Sequence, residues 1–499
     1  MTDNLFEAFA WADRGRPLIH GPEGQALTYG QMADLSGQIA NALAALGVVP
    51  GDRVAAQVEK SATALALYLA ALRLGAIFLP LNTAYTLKEL EFFIGDARPA
   101  VFVCDPGRAR DIEAIAPDLP VLSLDRTGQG SLTERAASMP AGFATLARAA
   151  DDVAAILYTS GTTGRPKGAM LTHRNLSSNT AALRGAWRFT GEDVLLHALP
   201  IYHAHGLFVA CNLVLVTGAS MHFLPKFEPE AMIALMPRSS VMMGIPTFYT
   251  RLLAHPGLQA AARGMRLFIS GSAPLLAETH RAWTAATGHA ILERYGMTET
   301  TMLTSNPYDG ERVPGSVGPA LPGVSLRVVD PATGEPLATG ETGMIEVAGP
   351  NIFKGYWQLP DKTAAEFRPD GHFITGDLGF IDPRGYVHIV GRGKDLVITG
   401  GLNVYPREVE AEIDDIPGVV ESAVIGVPHP DFGEAVTAVV VPDPKAGLTE
   451  AAVIAALDGR LSKFKLPKRV MMIDELPRNA MGKVQKNLLR EQYAALFRA

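Results

Sequence analysis

The stretch Val153-Ala-Ala-Ile-Leu-Tyr-Thr-Ser-Gly-Thr-Thr-Gly-Arg-Pro-Lys-Gly168 is the most informative part of this chain. An apolar run, typical of a buried strand, leads directly into a loop rich in glycine and hydroxyl side chains. Glycines allow backbone N–H groups to close on an anion, hydroxyl groups add donors, and Lys167 adds a positive charge. The loop lacks the Walker A spacing, and no GxGxxG occurs in the chain. It therefore predicts a phosphate-binding loop of another class, with a surface turn as the alternative.

Short apolar runs alternate with helical stretches on both sides of this loop. Such runs, separated by amphipathic segments, are typical of buried strands in α/β layers. The predicted strands are AIFLPL (76–81), AVFVCD (100–105), VAAILYT (153–159), DVLLHAL (193–199), SMHFLP (220–225), VMMGIP (241–246) and RLFISGS (266–272). The sequence therefore predicts an α/β fold whose large N-terminal domain contains doubly wound α/β subdomains. The polar stretch from Arg126 to Gly142 is interpreted as a surface loop.

The pattern of the chain changes after about Gly296. Residues 315–392 are rich in glycine, proline and short β-like runs, and they predict a small distorted β-barrel or sheet packed on the α/β body. Beyond Lys394 the pattern predicts a compact α+β domain. Its expected elements are a helix at 406–415, strands at 421–427 and 434–441, a helix at 449–462, a strand at 469–473 and a final helix. We therefore place a large domain at residues 1–393 and a small domain at residues 394–499.

Composition restricts the class of protein. The 499 residues carry a net charge of −7, which disfavours a dedicated nucleic-acid binder. The first residues lack the basic-then-apolar pattern of a signal peptide, and no apolar run reaches the roughly 18 residues of a membrane helix. Cys104 and Cys211 lie far apart, which excludes a disulfide framework and disfavours structural zinc. A cytoplasmic enzyme without nucleic-acid or membrane partners is expected.

Further motifs follow the phosphate loop in a fixed order. They are Tyr202-His-Ala-His-Gly206, Ser270-Gly-Ser-Ala-Pro274, Tyr295-Gly-Met-Thr-Glu299, Thr375-Gly-Asp377, Gly391-Arg-Gly-Lys-Asp395 and Pro477-Arg-Asn-Ala-Met-Gly-Lys483. With these motifs the chain resembles the adenylate-forming superfamily of acyl-CoA synthetases, luciferases and peptide-synthetase adenylation domains over nearly its whole length. The resemblance implies an ATP-dependent acid–coenzyme A ligase, which activates a carboxylic acid as an acyl-adenylate and then transfers the acyl group to a thiol.

The resemblance implies that ATP binds across these motifs. A strand that ends in small residues at Ser270–Pro274 lets a flat adenine ring approach the backbone closely. Tyr295 is expected to stack on that ring, Asp377 to accept hydrogen bonds from the ribose hydroxyls, and Arg392 to reach the ribose or the α-phosphate. The expected ATP-binding residues are Thr159, Ser160, Gly161, Thr162, Thr163, Gly164, Lys167, Gly271, Ser272, Ala273, Arg294, Tyr295, Gly296, Thr298, Asp377, Arg392 and Lys483.

Three residues are expected to act at the reacting centre. Glu299 offers the oxygen ligands that Mg²⁺ prefers, near the phosphates. Lys483, in the loop before the last helix, is expected to neutralise the negative charge that grows on phosphoryl and carboxylate oxygens. His203 is expected to shape the pocket or to sense ATP. It is not needed as a base, because the attacking carboxylate is already ionised.

The resemblance also implies that the small domain is mobile. Lys394 falls at the hinge of the family, and Gly400 and Gly401 are expected to line the coenzyme A channel after the small domain moves, because a backbone beside a thin pantetheine arm cannot carry bulk. A plain turn is the alternative for this glycine pair. Lys483 is also expected to be a target of reversible acetylation, with a lysine acetyltransferase and a deacetylase as partners.

The identity of the acid depends on a few positions. His205 replaces the apolar residue that is common in this family, and Arg251 lies on a helix expected beside the acyl pocket. A buried arginine calls for a carboxylate. These features resemble malonyl-CoA synthetases and imply malonate as substrate, with methylmalonate as a poorer one. The expected substrate-binding residues are His205, Arg251, Ser270, Met302 and Ala204. The alternative, on periodicity alone, is that Arg251 faces solvent on its helix.

Three other functions remain open at this point. A ligase for a short monocarboxylate or an aryl acid would share every motif. Adenylation for a carrier protein is disfavoured because no carrier domain follows. A catalytically inactive nucleotide-binding regulator is disfavoured because Glu299, Asp377 and Lys483 are all present.

Overall fold

The structure is a computed structural model that describes residues 3–21, 26–159, 166–400, 402–479 and 482–497. Its strands are β1 (Pro17–His20), β2 (Ala26–Thr28), β3 (Arg53–Gln57), β4 (Ile77–Pro80), β5 (Val101–Cys104), β6 (Val121–Ser123), β7 (Val153–Thr159), β8 (Lys167–Thr172), β9 (Val194–His197), β10 (Ser220–Phe223), β11 (Val241–Gly244), β12 (Leu267–Ser270), β13 (Leu292–Met297), β14 (Thr301–Ser305), β15 (Ser325–Val329), β16 (Gly343–Ala348), β17 (Gly355–Tyr356), β18 (Phe373–Ile381), β19 (Val387–Arg392), β20 (Val397–Thr399), β21 (Leu402–Val404), β22 (Val419–His429), β23 (Gly433–Pro442) and β24 (Arg469–Met472).

The helices connect these strands. They are α1 (Tyr29–Ala45), α2 (Ala62–Leu74), α3 (Leu87–Ala97), α4 (Ala109–Ile115), α5 (Ser131–Ala137), α6 (His173–Ala186), α7 (Asn212–Thr217), α8 (Pro229–Leu235), α9 (Pro246–Leu253), α10 (Leu258–Ala261), α11 (Ala277–Thr287), α12 (Pro360–Ala365), α13 (Pro406–Asp414), α14 (Glu450–Leu457) and α15 (Lys486–Tyr493). A π-helix, His205–Cys211, leads directly into α7. Among the described residues, no helix combines the length and the apolar character that crossing a bilayer requires.

Two mixed sheets form the body of the large domain. The first has the order β14-β13-β12-β11-β9-β10-β1-β2, and the second has the order β17-β8-β7-β4-β3-β5-β6. The central strands of both sheets pair in parallel. The edge strands β2, β14 and β17 pair antiparallel with their neighbours, whereas the edge strand β6 pairs in parallel with β5. Helix α2 is buried on almost every side, which explains why its sequence is apolar all round. The predicted α/β fold of this region is confirmed.

Residues 315–392, where a small distorted β-barrel or sheet was predicted, contain a four-stranded antiparallel sheet of order β15-β16-β18-β19. The α+β pattern beyond Lys394 is also confirmed, with β20 to β24 in one sheet and α13, α14 and α15 beside it. The predicted helix at 449–462 is shorter than expected. It ends at Leu457, because the chain turns at Gly459 with a φ of +78°.

The interpretation of 126–142 as a loop is wrong in part. Helix α5 occupies Ser131–Ala137 and buries Leu132 and Ala136. These two side chains are four positions apart and therefore lie on one face of a helix. The surrounding Gly, Ser and Thr residues dominated the sequence pattern and concealed this short apolar face.

The buried apolar clusters separate near the proposed domain boundary. The larger of the two clusters in the large domain extends to Val387, and the two clusters of the small domain begin at Val397 and at Ala423. A boundary at Lys394 is consistent with this separation, because each side has a core of its own. The division at 393/394 stays a prediction.

Candidate active site

The candidate site lies where the parallel strands β9, β11, β12 and β13 end. Met243 pairs with His197, Gly244 with Ser270, and Ser270 with Glu293. Because these strands run in one direction, the loops that follow them meet at one edge of the sheet. The motifs around residues 203, 271 and 295 are thus brought together from distant parts of the chain.

Arg294 and His205 form a buried polar cluster at this edge. A side-chain carbon added to Gly271 would lie 2.3 Å from Cζ of Arg294, so the guanidinium rests directly on this glycine. Nδ1 of His205 lies 3.1 Å from Oγ of Ser272. Nε and Nη2 of Arg294 and Nε2 of His205 are buried without a hydrogen-bond partner among the described residues. Buried polar groups are normally paired, so this cluster lacks an acceptor that a ligand could provide.

Burial dominates the electrostatics of the cluster. It lowers the pKa of Arg294 to about 9 and holds the pKa of His205 well below its usual range, with the nearby Arg294 charge acting in the same direction on His205. A neutral His205 beside a guanidinium favours an anionic ligand.

Ser270 is separated from this cluster. It lies opposite Glu293 in the register of β12 and β13, and its side chain therefore shares a sheet face with Glu293. Gly271 and Arg294 follow on the other face. The structure thus makes Ser272 the serine that contacts His205, whereas the sequence analysis assigned the substrate to Ser270. Oγ of Ser270 is buried and unpaired among the described residues.

Arg251 is exposed on the last turn of α9, so the prediction of a buried Arg251 is wrong for this structure. Helix α9 buries Phe248, Tyr249 and Leu252, and Arg251 lies outside that arc. Periodicity over one short helix left the direction of the Arg251 side chain open. It also could not reveal that a different arginine, Arg294, is the buried one. The two remaining substrate-pocket residues, Met302 and Ala204, are buried as expected.

His203 lies in the turn before the π-helix. Burial lowers the pKa of His203 to about 4, so its imidazole is neutral at physiological pH. His203 and Thr298 line the same small cavity, together with Asn82, Tyr85 and Tyr202. A neutral imidazole on a cavity wall is consistent with a role in shaping the pocket.

Tyr295, Asp377 and Arg392 meet at the predicted ribose position. The Tyr295 hydroxyl donates to Oδ2 of Asp377 at 2.5 Å, and Nε of Arg392 lies 3.0 Å from Oδ1 of Asp377. Asp377 and Arg392 are cross-strand partners in β18 and β19, and the backbone N–H of Asp377 donates to Oγ1 of Thr375 at 3.0 Å. The small sheet therefore presents a fixed carboxylate to the hydroxyl of Tyr295.

Glu299 is a buried carboxylate whose pKa burial raises. The Tyr356 hydroxyl bridges it to Glu366, at 3.0 Å from Oε1 of Glu299 and 2.7 Å from Oε2 of Glu366. Lys167, in β8, lies 3.2 Å from Oε1 of Glu366. Oxygen ligands in a buried, electron-rich cluster suit a divalent cation, so Glu299 fits the predicted role toward Mg²⁺. The sequence analysis missed Tyr356 and Glu366, which no motif marks.

The structure describes only the two ends of the phosphate loop. Thr159 and Lys167 are cross-strand partners at the ends of β7 and β8. The predicted ligands Ser160, Gly161, Thr162, Thr163 and Gly164 lie outside the described residues. The other predicted ATP-binding residues, Ala273 and Gly296 among them, belong to the loops and strands described above.

The loop that carries Lys483 touches the large domain. A side-chain carbon on Gly482 would lie 3.3 Å from Cδ1 of Ile245 and 3.6 Å from Oγ1 of Thr247, at the start of α9. The Lys483 side chain is exposed to solvent, and neighbouring groups partly desolvate its ammonium group. This desolvation, with Arg392 next in importance, lowers the pKa of Lys483 to about 8. Lys483 thus lies in the field of the Asp377–Arg392 pair.

The pKa of Lys483 predicts a pH dependence for acyl-adenylate formation. The cationic form is the one that can stabilise phosphoryl charge, and its fraction falls as the pH rises through about 8. We expect kcat/KM for ATP in pyrophosphate exchange to decline above this pH. In Lys483→Arg the decline should disappear, because a guanidinium stays charged. An alkaline limb that is unchanged in Lys483→Arg would contradict the assignment.

The predicted hinge and channel residues follow β19. Lys394 lies in a short 3₁₀ turn, Gly393–Asp395. Gly400 has a φ of +58° and ends β20 in a tight hairpin with β21, and its N–H donates to the carbonyl of Phe432 at 2.8 Å. Gly401 lies outside the described residues. In this arrangement Gly400 serves as a turn residue, and its role in the coenzyme A channel stays a prediction.

Comparison with known proteins agrees with this geometry. Residues 6–357 match the AMP-binding enzyme family, and residues 408–483 match the AMP-binding enzyme C-terminal domain. A feruloyl-CoA synthase from Amycolatopsis sp is 36% identical over 483 residues, covering 95% of both chains. The mitochondrial malonate–CoA ligase of Mus musculus is 36% identical over 464 residues, covering 84% of this chain and 78% of the relative.

Solved structures extend the comparison to the whole chain. ATP-bound MatB from Rhodopseudomonas palustris is 62% identical, covers 100% of both chains and superposes with a TM-score of 0.98. The apo form of the same protein superposes with a TM-score of 0.86. The arrangement described above is therefore closer to the ATP-bound form. The family models together match most of the chain, and the chain belongs to the AMP-binding enzyme family.

Proposed function

We propose that this protein is a malonate–CoA ligase that converts malonate, ATP and coenzyme A into malonyl-CoA, AMP and pyrophosphate through malonyl-AMP. Besides the mouse enzyme, a malonate–CoA ligase of Arabidopsis thaliana is 33% identical over 522 residues, covering 94% of this chain and 85% of the relative. The observation that carries the proposal is the buried Arg294, whose guanidinium has no carboxylate partner among the described residues. A substrate with a second carboxylate would supply that partner.

In the first half-reaction, a malonate carboxylate oxygen attacks the α-phosphorus of ATP, and the bond from this phosphorus to the pyrophosphate oxygen breaks. Tyr295, Asp377 and Arg392 orient the nucleoside. Lys483 lies beside this group and offsets the negative charge that develops on the transferring atoms. Glu299 would hold Mg²⁺, which would neutralise phosphate charge when bound. No general base is required, and a neutral His203 is compatible with this.

In the second half-reaction, the sulfur of coenzyme A attacks the acyl carbon, and AMP leaves. The small domain, with Lys394 as hinge, would withdraw Lys483 and bring the Gly400–Gly401 turn to the thiol channel. Such a division of labour explains how one site can favour two different transition states.

We assign the distal carboxylate of malonate to Arg294, His205 and Ser272. This moves Arg294 and Ser272, which the sequence analysis expected to bind ATP, to the acid. Arg294 offers two unpaired N–H groups, which suits the fork-like recognition of a carboxylate. Met302 and Ala204 bound the pocket and leave some room beside the α-carbon, so methylmalonate is proposed as a poorer substrate.

Substrate comparison tests the proposed function. We expect kcat/KM for malonate to exceed that for butyrate, which is similar in size but lacks the second charge, by about 30-fold or more, since an unpaired buried charge costs about 2–5 kcal/mol. Benzoate should be poorer still. The measurement is acid-dependent formation of AMP with coenzyme A as acceptor. A preference for butyrate or benzoate would instead support the monocarboxylate or aryl-acid alternative.

Two further expectations complete the proposal. Lys483, which is accessible from solvent, is a candidate for reversible acetylation by a lysine acetyltransferase and a deacetylase; this would remove its charge. A cytoplasmic location is proposed from composition alone.

A further inference from the structure

Lys60 is a buried lysine outside every motif of the site. It follows β3 in one large sheet, is 6% exposed, and reaches His197 at the end of β9 in the other sheet. Its Nζ lies 3.1 Å from Nδ1 of His197, 2.8 Å from the carbonyl oxygen of His197 and 4.2 Å from the centre of the Phe223 ring. Among the described residues, no carboxylate forms an ion pair with Lys60. An apolar side chain of this size would be cheaper to bury, so its presence calls for a role.

The hydrogen bonds define the state of His197. Its Nδ1 accepts from the N–H of Leu199 at 3.2 Å, so Nδ1 carries no proton and Lys60 must also donate to it. The proton is therefore on Nε2, which donates to the carbonyl oxygen of Gly206 at 2.9 Å. Sγ of Cys211 lies 3.4 Å from the same nitrogen. His197, which is fully buried, is thus locked in one tautomer and one orientation.

This chain of contacts ends on the π-helix that begins with His205. Gly206 is the second residue of that helix, and Cys211 is its last. A side-chain carbon on Gly206 would lie 2.0 Å from the carbonyl oxygen of Pro200, so the helix is packed tightly against the preceding loop. The π-helical winding directs His205 toward Ser272, and π-helices often occur at functional sites because they redirect side chains in this way.

We propose that Lys60 and His197 are positioning residues that hold the π-helix in place and thereby present His205 to the distal carboxylate of the acid. The inference rests on the proposed function, in which His205 contacts that carboxylate. The contacts of Lys60 are with His197 and Phe223, neither of which is assigned to the acid or to ATP. Its effect is transmitted through His197 and the Gly206 carbonyl.

Kinetics of Lys60→Met tests this proposal, because methionine keeps the length of the side chain and removes the donor. We expect KM for malonate to rise about tenfold to a hundredfold, the usual effect of misplacing a contact by about 1 Å, while KM for ATP changes less than about twofold. A second pair of variants uses the geometry of His197. Glutamine can accept from Lys60 and donate to Gly206, whereas leucine can do neither, so His197→Gln should recover most of the malonate affinity that His197→Leu loses.

His173→Leu is the matched control. His173 is also a buried histidine, and its Nδ1 accepts from the N–H of Leu5 at 3.0 Å, in the N-terminal segment. We expect the His173→Leu variant to have a lower melting temperature, as His197→Leu does, but an unchanged KM for malonate. Two results for Lys60→Met would overturn the proposal. One is an equal change in KM for malonate and KM for ATP, and the other is a lower melting temperature with an unchanged KM for malonate.

If Lys60→Met fails to fold, the comparison of His197→Gln with His197→Leu tests the proposal instead. An equal rise in KM for malonate in both variants overturns the positioning role. Turnover of malonate by the wild type is established first and tests the proposed function separately. Should the wild type use another acid, the same comparison is made with that acid. A specific rise in its KM would then support positioning even though the malonate assignment had failed.

Discussion

Replacing Lys483 by alanine should reduce malonyl-AMP formation by about 10²- to 10³-fold, the usual effect of removing one preorganised group that stabilises transition-state charge. Thioester formation from supplied malonyl-AMP and coenzyme A should be largely preserved. The reason is that the Lys483 loop contacts the start of α9 in this arrangement, whereas the proposed movement of the small domain would withdraw Lys483 before the second half-reaction. The two half-reactions are measured separately, by pyrophosphate exchange and by thioester formation.

Lys463→Ala is a suitable control for this experiment. Lys463 is an exposed lysine of the same small domain that lies outside the Lys483 loop, before β24. It should leave both half-reactions intact. If Lys483→Ala instead impairs the two half-reactions equally, Lys483 serves the stability of the small domain and the assignment of its charge to the first step is wrong.

Replacing Arg294 by methionine should lower kcat/KM for malonate by about 30-fold to several-thousand-fold, because the distal carboxylate would be buried without its partner. Efficiency on butyrate should change little, so the preference for malonate should collapse. Arg251→Ala, in contrast, should keep most of the preference, since Arg251 is exposed. The measurement is kcat/KM for both acids with the wild type and the two variants.

The stability of Arg294→Met separates a binding role from a structural one. The guanidinium is buried with two nitrogens unpaired among the described residues, which destabilises the protein when no ligand is bound. We therefore expect the melting temperature without substrate to be unchanged or higher in the variant, and malonate should stabilise only the wild type. A large fall in melting temperature would mean that Arg294 has a structural role. A loss of the malonate preference in Arg251→Ala instead would mean that Arg251 binds the distal carboxylate.

Arg251 and Arg294 illustrate the limit of reasoning from local pattern. Both arginines lie next to predicted site motifs, and a sequence cannot tell which of two neighbouring cations is desolvated. Arg294 is buried because β12 and β13 pair so that it faces Gly271, and this depends on register between strands. The same register separates Ser270 from the cluster, whereas Ser272 follows the end of β12 with a φ of +71° and contacts His205.

Lys60 and His197 show the same limit over a longer distance. They are 137 residues apart, and neither carries a motif. Their contact exists because the two large sheets pack so that the loop after β3 meets the end of β9. Tyr356 and Glu366, which surround Glu299, are further examples of partners that only packing brings to the site.

The sequence by itself determined the α/β class, the order of the motifs and most strand positions. The strand predicted at 153–159 is β7 without any shift, because an apolar run that enters a buried sheet is a local property of the chain. The ordered motifs likewise determined the family, since their residue types follow from the chemistry of nucleotide binding. Only the tertiary structure decided which charged side chains are buried, which are paired and which face the acid. Burial and pairing depend on neighbours from distant segments, and the free energy of a charge depends on those neighbours far more than on its own residue type.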